Sequence, residues 1–93
     1  MVMAVIYINC GEYDKALDVL KNVIKIKPES AGAYYNIACI YARQGKVDES
    51  VKWLKEAVER GFADWRLLRQ DKDLEKIRGT AYYEDLMRLH GNG

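Results

Sequence analysis

Apolar side chains recur at helical spacing along most of this chain. Ala16, Leu17, Leu20, Val23 and Ile24 occupy positions i, i+1, i+4, i+7 and i+8, a single stripe, while Lys15, Asp18, Lys21, Asn22 and Lys25 fill the remaining surface. Lys27-Pro28 ends that helix, because proline cannot continue it and disfavours helical geometry at the residue before. The same periodicity predicts helices over 31–44 and 48–60, the latter closed by Gly61. Gly11 and Gly45 interrupt apolar stretches, and an Asp follows each, Asp14 and Asp48, in the first turn of the next helix. The expected pattern is helix, tight turn, helix. Beyond Phe62 the spacing shortens and predicts three small helices, over 64–69, 73–78 and 80–89, with Gly79 separating the last two and Thr80 as an N-cap. Leu74, Ile77, Tyr83, Leu86 and Met87 give this tail an apolar face that can dock on the preceding hairpin.

The pattern also repeats. Ala4, Ile6, Tyr7, Gly11, Asp14, Leu20 and Lys21 recur 34 residues later as Ala38, Ile40, Tyr41, Gly45, Asp48, Leu54 and Lys55. Met3/Ile37, Leu17/Val51, Val23/Ala57 and Ile24/Val58 keep apolar character at the same offset. Self-similarity at this period marks a stack of helix hairpins in which each unit buries its apolar face against the next. The register is lost after Phe62, so the tail suits a terminal cap with a polar outer side.

Composition narrows the function classes. Fifteen basic against 14 acidic residues leave a net charge of +1, so no global field draws the chain to nucleic acid or to anionic lipid. No run approaches the roughly 18–20 apolar residues that a membrane span needs. Met1-Val-Met-Ala-Val-Ile-Tyr-Ile8 lacks the basic start and small-residue cleavage site of a signal segment, and a cytoplasmic location is the default expectation. Cys10 and Cys39 have no CxxC context and His90 is the sole histidine. The expectation is therefore two small apolar packers in a reducing compartment, with no metal and no other cofactor. No Ser/His/Asp or Cys/His set and no glycine-rich phosphate loop can be assembled, so an enzyme is not expected.

These residues resemble the tetratricopeptide repeat, whose signature is an aromatic, a large aliphatic and a small residue, then Tyr, Ala, an aromatic or aliphatic, and Pro. The second unit shows Tyr34, Ile37-Ala38, Tyr41, Ser50 and Leu54, with Phe62 in place of the proline. The first shows Met3-Ala4, Tyr7, Ala16, Leu20 and Pro28. Ser50 replaces the usual Ala and is expected to be slightly wet. Gly61-Phe62, Asp64-Trp65, residues 71–74, Ile77-Arg78 and Tyr83-xx-Leu86 look, more loosely, like the segment that often closes bacterial arrays of this kind.

The resemblance implies an all-α fold, a right-handed superhelical stack of antiparallel helix hairpins with a C-terminal capping segment. As one domain it divides into 1–30, 31–62 and 63–93. It implies a module that binds a protein or peptide, with ligands lying in a concave groove lined by the first helix of each hairpin. By register that groove shows Val5, Ile8 and Asn9 from the first unit and Tyr35, Asn36, Cys39, Ala42 and Arg43 from the second. This is an apolar groove with one basic residue, suited to an extended or helical apolar segment. Trp65 is expected at the junction with the cap, Trp53 against the tail, and Tyr82-Tyr83 with one ring inward and one wet. The first helix begins about a turn short, as expected either of a fragment of a longer array or of a short protein whose exposed end is covered, and two repeats fall below the roughly three usually needed for independent stability. A homo-oligomer follows as the second expectation, with a second copy covering the apolar Met1, Val2, Val5, Ile6 and Ile8.

Overall fold

The computed structural model describes residues 11–90. Within them lie five α-helices and one 3-10 helix: α1 (Tyr13–Ile26), α2 (Ala31–Arg43), α3 (Val47–Glu59), α4 (Trp65–Gln70), the 3-10 helix (Lys72–Ile77) and α5 (Ala81–His90). No strand occurs among the described residues. The helices stack in pairs, an all-α architecture.

Each helix ends where its sequence makes it end. Past α2, Gly45 adopts φ 78°, and its amide and that of Lys46 donate to the carbonyls of Ala42 and Tyr41. Past α3, Gly61 adopts φ 102°, with Gly61 and Phe62 amides on Val58 and Ala57. Both are Schellman caps, which need a left-handed residue that glycine alone adopts without a Cβ penalty. At the other ends, the Asp64 carboxylate accepts the Leu67 amide at 3.1 Å and Asp71 accepts the Asp73 amide at 2.9 Å. Thr80 accepts the Tyr83 amide at 3.4 Å and so caps α5 as its position predicts.

Two apolar clusters share α2. On one side α1 brings Ala16 and Leu20 against Ala33, Ile37, Ile40 and Tyr41. On the other, Leu54 and Ala57 of α3, together with Leu68, Leu74, Ile77, Tyr83 and Leu86 of the C-terminal segment, surround Tyr34, Tyr35, Ala38, Cys39 and Ala42. Nine of the thirteen α2 residues are buried, which explains why its stripe reads as nearly continuous rather than amphipathic. Ala38 has no exposed surface and lets α3 approach; the Ser50 hydroxyl crosses the gap to the Ala38 carbonyl at 2.7 Å. Ser50 is therefore fully buried and satisfied, not wet as the sequence suggests. Full burial of Leu54 alone contributes about 1.5–3 kcal/mol.

Candidate functional site

The inner face of the second hairpin differs from the open apolar groove that the register predicts. Tyr35 is 4% exposed, Cys39 3% and Ala42 0%. What covers them is the chain's own C-terminal segment. The Phe62 ring stacks on Tyr35 with centroids 4.3 Å apart, and Leu74 and Ile77 of the 3-10 helix join the same cluster. Sequence register says nothing of what lies over these three side chains.

Polar contacts hold that cover in place. The Tyr35 hydroxyl donates to Asp71 Oδ2 at 2.5 Å, and the Cys39 thiol lies 3.9 Å from the same oxygen. Arg78 donates to the Asp71 carbonyl at 3.0 Å, Lys76 to the Arg43 carbonyl at 3.3 Å, and Arg43 pairs with Asp73 at 3.5 Å. Burial pushes the Tyr35 phenol far above its ordinary range, with Cys39 and the Asp71 carboxylate adding to it, so it remains a neutral donor. Burial, then Asp71, raises the Cys39 thiol as well. The Asp73 carboxyl is raised by burial and by Asp71, against the pull of Arg43.

Cys39, Asp71 and Asp73 bring ligand-type atoms within 4.8 Å of one another. Asp71 takes the Tyr35 hydroxyl and the Asp73 amide, and Asp73 takes Arg43. The set serves as a fastening, and the residue that carries it, Asp71, has no periodic signature in the sequence.

What stays accessible beside the fastening is a cleft of about 680 Å3 lined by Tyr13, Ala42, Arg43, Lys72, Asp73, Glu75 and Lys76. Three elements build it: the start of α1, the end of α2 and the 3-10 helix. The Arg43 guanidinium lies 5.8 Å from the centre of the Tyr13 ring. Of the predicted groove residues, Arg43 and Ala42 border this cleft, and Asn36 is half-buried on the same helix. Val5, Ile8 and Asn9 lie outside the described residues, as do Cys10 and the apolar run 1–8. Sequence register does not single out Tyr13, Lys72, Glu75 or Lys76, since three of them belong to the segment beyond it.

The aromatic expectations divide. Trp65 is half-buried and stacks on His90 with ring centres 4.0 Å apart. Trp53 packs beside Tyr34 and Tyr41, at 5.7 and 6.5 Å, joining both apolar clusters. Tyr83 is buried and donates to the Leu68 carbonyl at 2.9 Å, while Tyr82 is half-buried.

Comparison with known proteins decides the family. A TPR repeat family model matches residues 5–45, and a tetratricopeptide repeat model matches 31–60. The chain belongs to the tetratricopeptide repeat family. That membership makes it a protein–protein interaction module of a family that is typically non-enzymatic. Among similar proteins, a chloroplastic protein of Arabidopsis thaliana is 33% identical over 81 residues, covering 84% of this chain and 24% of that protein. Photosystem I assembly protein Ycf3 of Prochlorococcus marinus is 34% identical over 64 residues, 61% of this chain and 37% of that protein. Rhomboid protease GluP of Bacillus subtilis is 40% identical over 43 residues, 46% of this chain and 8% of the protease. The chain thus spans well under half the length of each of these relatives. No solved structure matches it significantly. No described helix is long and apolar enough to cross a membrane.

Proposed function

We propose that this tetratricopeptide module, two repeats over 1–30 and 31–62 closed by 63–93, holds a partner protein segment across its first-helix face. The observation that carries the reading is the open cleft at the end of α2, to which three elements contribute side chains. Since Tyr35, Cys39 and Ala42 are covered from within, the cleft offers the partner Arg43 of the second hairpin, Tyr13 of α1 and the charged 3-10 residues rather than apolar anchors. An apolar contact of the kind first expected falls to Val5 and Ile8. A cytoplasmic, reducing setting accords with the buried free thiol of Cys39.

A random peptide library displayed on phage and selected on the immobilised chain tests the proposal. Enriched peptides are expected to bind the purified chain in calorimetry and to lose at least about five-fold in affinity on Tyr13→Ala/Arg43→Ala, about 1 kcal/mol. No enrichment over several rounds would overturn it. Light scattering on the same sample separates the alternative, a homo-oligomer filling its own face: a stable multiple of 10.7 kDa would favour self-assembly over a foreign partner.

A further inference from the structure

The chain between α4 and α5 leaves from and returns to two helices that hold each other directly. Tyr83 of α5 donates to the Leu68 carbonyl of α4 at 2.9 Å, and Trp65 at the start of α4 stacks on His90 at the end of α5. Neither contact involves the 3-10 helix that connects them. That connection begins at Asp71, whose backbone is extended (ψ 116°), and ends at the exposed Gly79. Its underside carries Leu74 and Ile77, both fully buried in the cluster that covers Tyr35 and Cys39. Its other edge, Lys72, Asp73, Glu75 and Lys76, lines the cleft.

Two contacts tie that edge down, and both meet one residue of α2. Arg43 pairs with Asp73 at 3.5 Å, and Lys76 donates to the Arg43 carbonyl at 3.3 Å. The paired side chains are 30% and 33% exposed, a setting in which an ion pair is weak and screened by salt. Closure leaves one group short. The Arg78 Nε is buried with no hydrogen-bond partner, a donor that water satisfies once the segment lifts. The 3-10 run of six residues is also long for a helix type of poor hydrogen-bond geometry. Anchored ends, an apolar underside, an unsatisfied buried donor and a surface latch are the parts of a lid.

We infer that residues 71–78 are a lid over the inner face of α2, latched by Arg43 and able to open while α4 and α5 stay paired. The inference rests on the proposed protein-binding function for its purpose: the lifted lid uncovers Tyr35 and Cys39 beside the cleft and adds apolar anchors to a charged site. The closed lid predominates in the free chain, because Leu74 and Ile77 leave water when it shuts. A segment that draws Arg43 into the cleft takes it from Asp73, and that difference in contacts is what shifts the balance toward the open lid.

Cys39 reports the opening. In a Cys10→Ser background, labelling by an uncharged pyridyl disulfide is followed under native conditions, and each rate is divided by that of the same variant unfolded in urea. In this parent chain the rate is expected to change little with urea well below the unfolding transition, since a local opening exposes little surface. Arg43→Ala and Asp73→Asn are each expected to speed labelling at least three-fold, and the double variant no more than the faster single one. Lys25→Ala, at an exposed position of α1, is expected to change it less than two-fold. Raising NaCl from 50 to 500 mM should speed labelling of the parent chain and leave Asp73→Asn unchanged. Peptides enriched in the phage selection are expected to bind Asp73→Asn at least two-fold tighter than the parent chain, because Arg43 is released to them.

Labelling that climbs with the full urea slope of global unfolding from the first addition, or that neither latch variant speeds, would overturn the lid. Unchanged or weaker peptide binding by Asp73→Asn would overturn its coupling to the cleft. The urea dependence of the parent chain needs no substitution in the lid or latch, so it decides even where a latch variant fails to fold. These outcomes leave the cleft free to bind a partner. A phage selection without enrichment does the reverse, overturning the binding function and leaving the lid as a property of the free chain.

Discussion

Two of the seams that α2 makes are sealed by different chemistry. Toward α3 the seam is small against large: Ala38 against a crossing helix, Leu54 and Ala57 filling the space, and one internal hydrogen bond from Ser50. Toward the C-terminal segment the apolar contacts of Leu74 and Ile77 are joined by a buried phenol on a carboxylate, an ion pair and two bonds to backbone carbonyls. The first seam is one that any stacked hairpin can make, so it repeats. The second depends on individual polar partners and makes the segment specific to this end of the array.

The comparison breaks most sharply at Leu54. Leu54→Ala should lower the unfolding free energy by about 2–5 kcal/mol, the range for a fully buried leucine, with both seams failing together in urea titration. A loss below about 1 kcal/mol would show that the seam is not close-packed. Asp71→Ala comes next. It strands the buried Tyr35 hydroxyl and uncaps the 3-10 helix, for a cost of about 1–3 kcal/mol. Hydrogen exchange should show faster exchange over 65–90 with little change in α1, whereas uniform acceleration would contradict separate seams.

Tyr35→Phe is smaller, about 0.5–1.5 kcal/mol, because Asp71 is only half-buried and water can replace the lost donor. Its signature is in pH. The folded phenol is raised above its ordinary value of 10.0, so the folded state holds that proton more tightly than the unfolded chain. The associated stability is fully present below pH 10 and is lost as pH rises beyond it. Denaturation series from pH 8 to 11 should show a steeper alkaline decline for the wild type than for Tyr35→Phe, and parallel curves would refute the assignment. Ser50→Ala is the smallest change. It loses one hydrogen bond but gains helix propensity and leaves a helical carbonyl still bonded, for a net loss under about 1 kcal/mol in the same titration.

The contrast between the seams also explains what could be read from sequence. The α1–α3 helices, the Gly45 cap of α2 and the Ala38/Tyr41 packing were legible because the 34-residue period repeats the same steric requirement. The site was legible only in part. The resemblance assigned Tyr35, Cys39, Ala42 and Arg43 to an open groove, but Tyr35, Cys39 and Ala42 are covered by a segment outside the period. Asp71 could not be foreseen as the fastening, since one carboxylate in Gln70-Asp71-Lys72-Asp73 looks like any solvated charge until Tyr35 is placed opposite it. The cleft escaped for the same reason: Tyr13 and Lys76 lie 63 positions apart and share no pattern.

The covered inner face is the central claim, and Cys39 reports on it directly. In a Cys10→Ser background the remaining thiol is titrated with a chromogenic disulfide reagent under native conditions at pH 8. Burial at 3% exposure and a raised thiol pKa predict labelling at least a hundred-fold slower than in the urea-unfolded chain, and marked acceleration on Asp71→Ala. Native labelling at the unfolded rate would mean that the C-terminal segment does not close over α2, and the account of the site would fall with it.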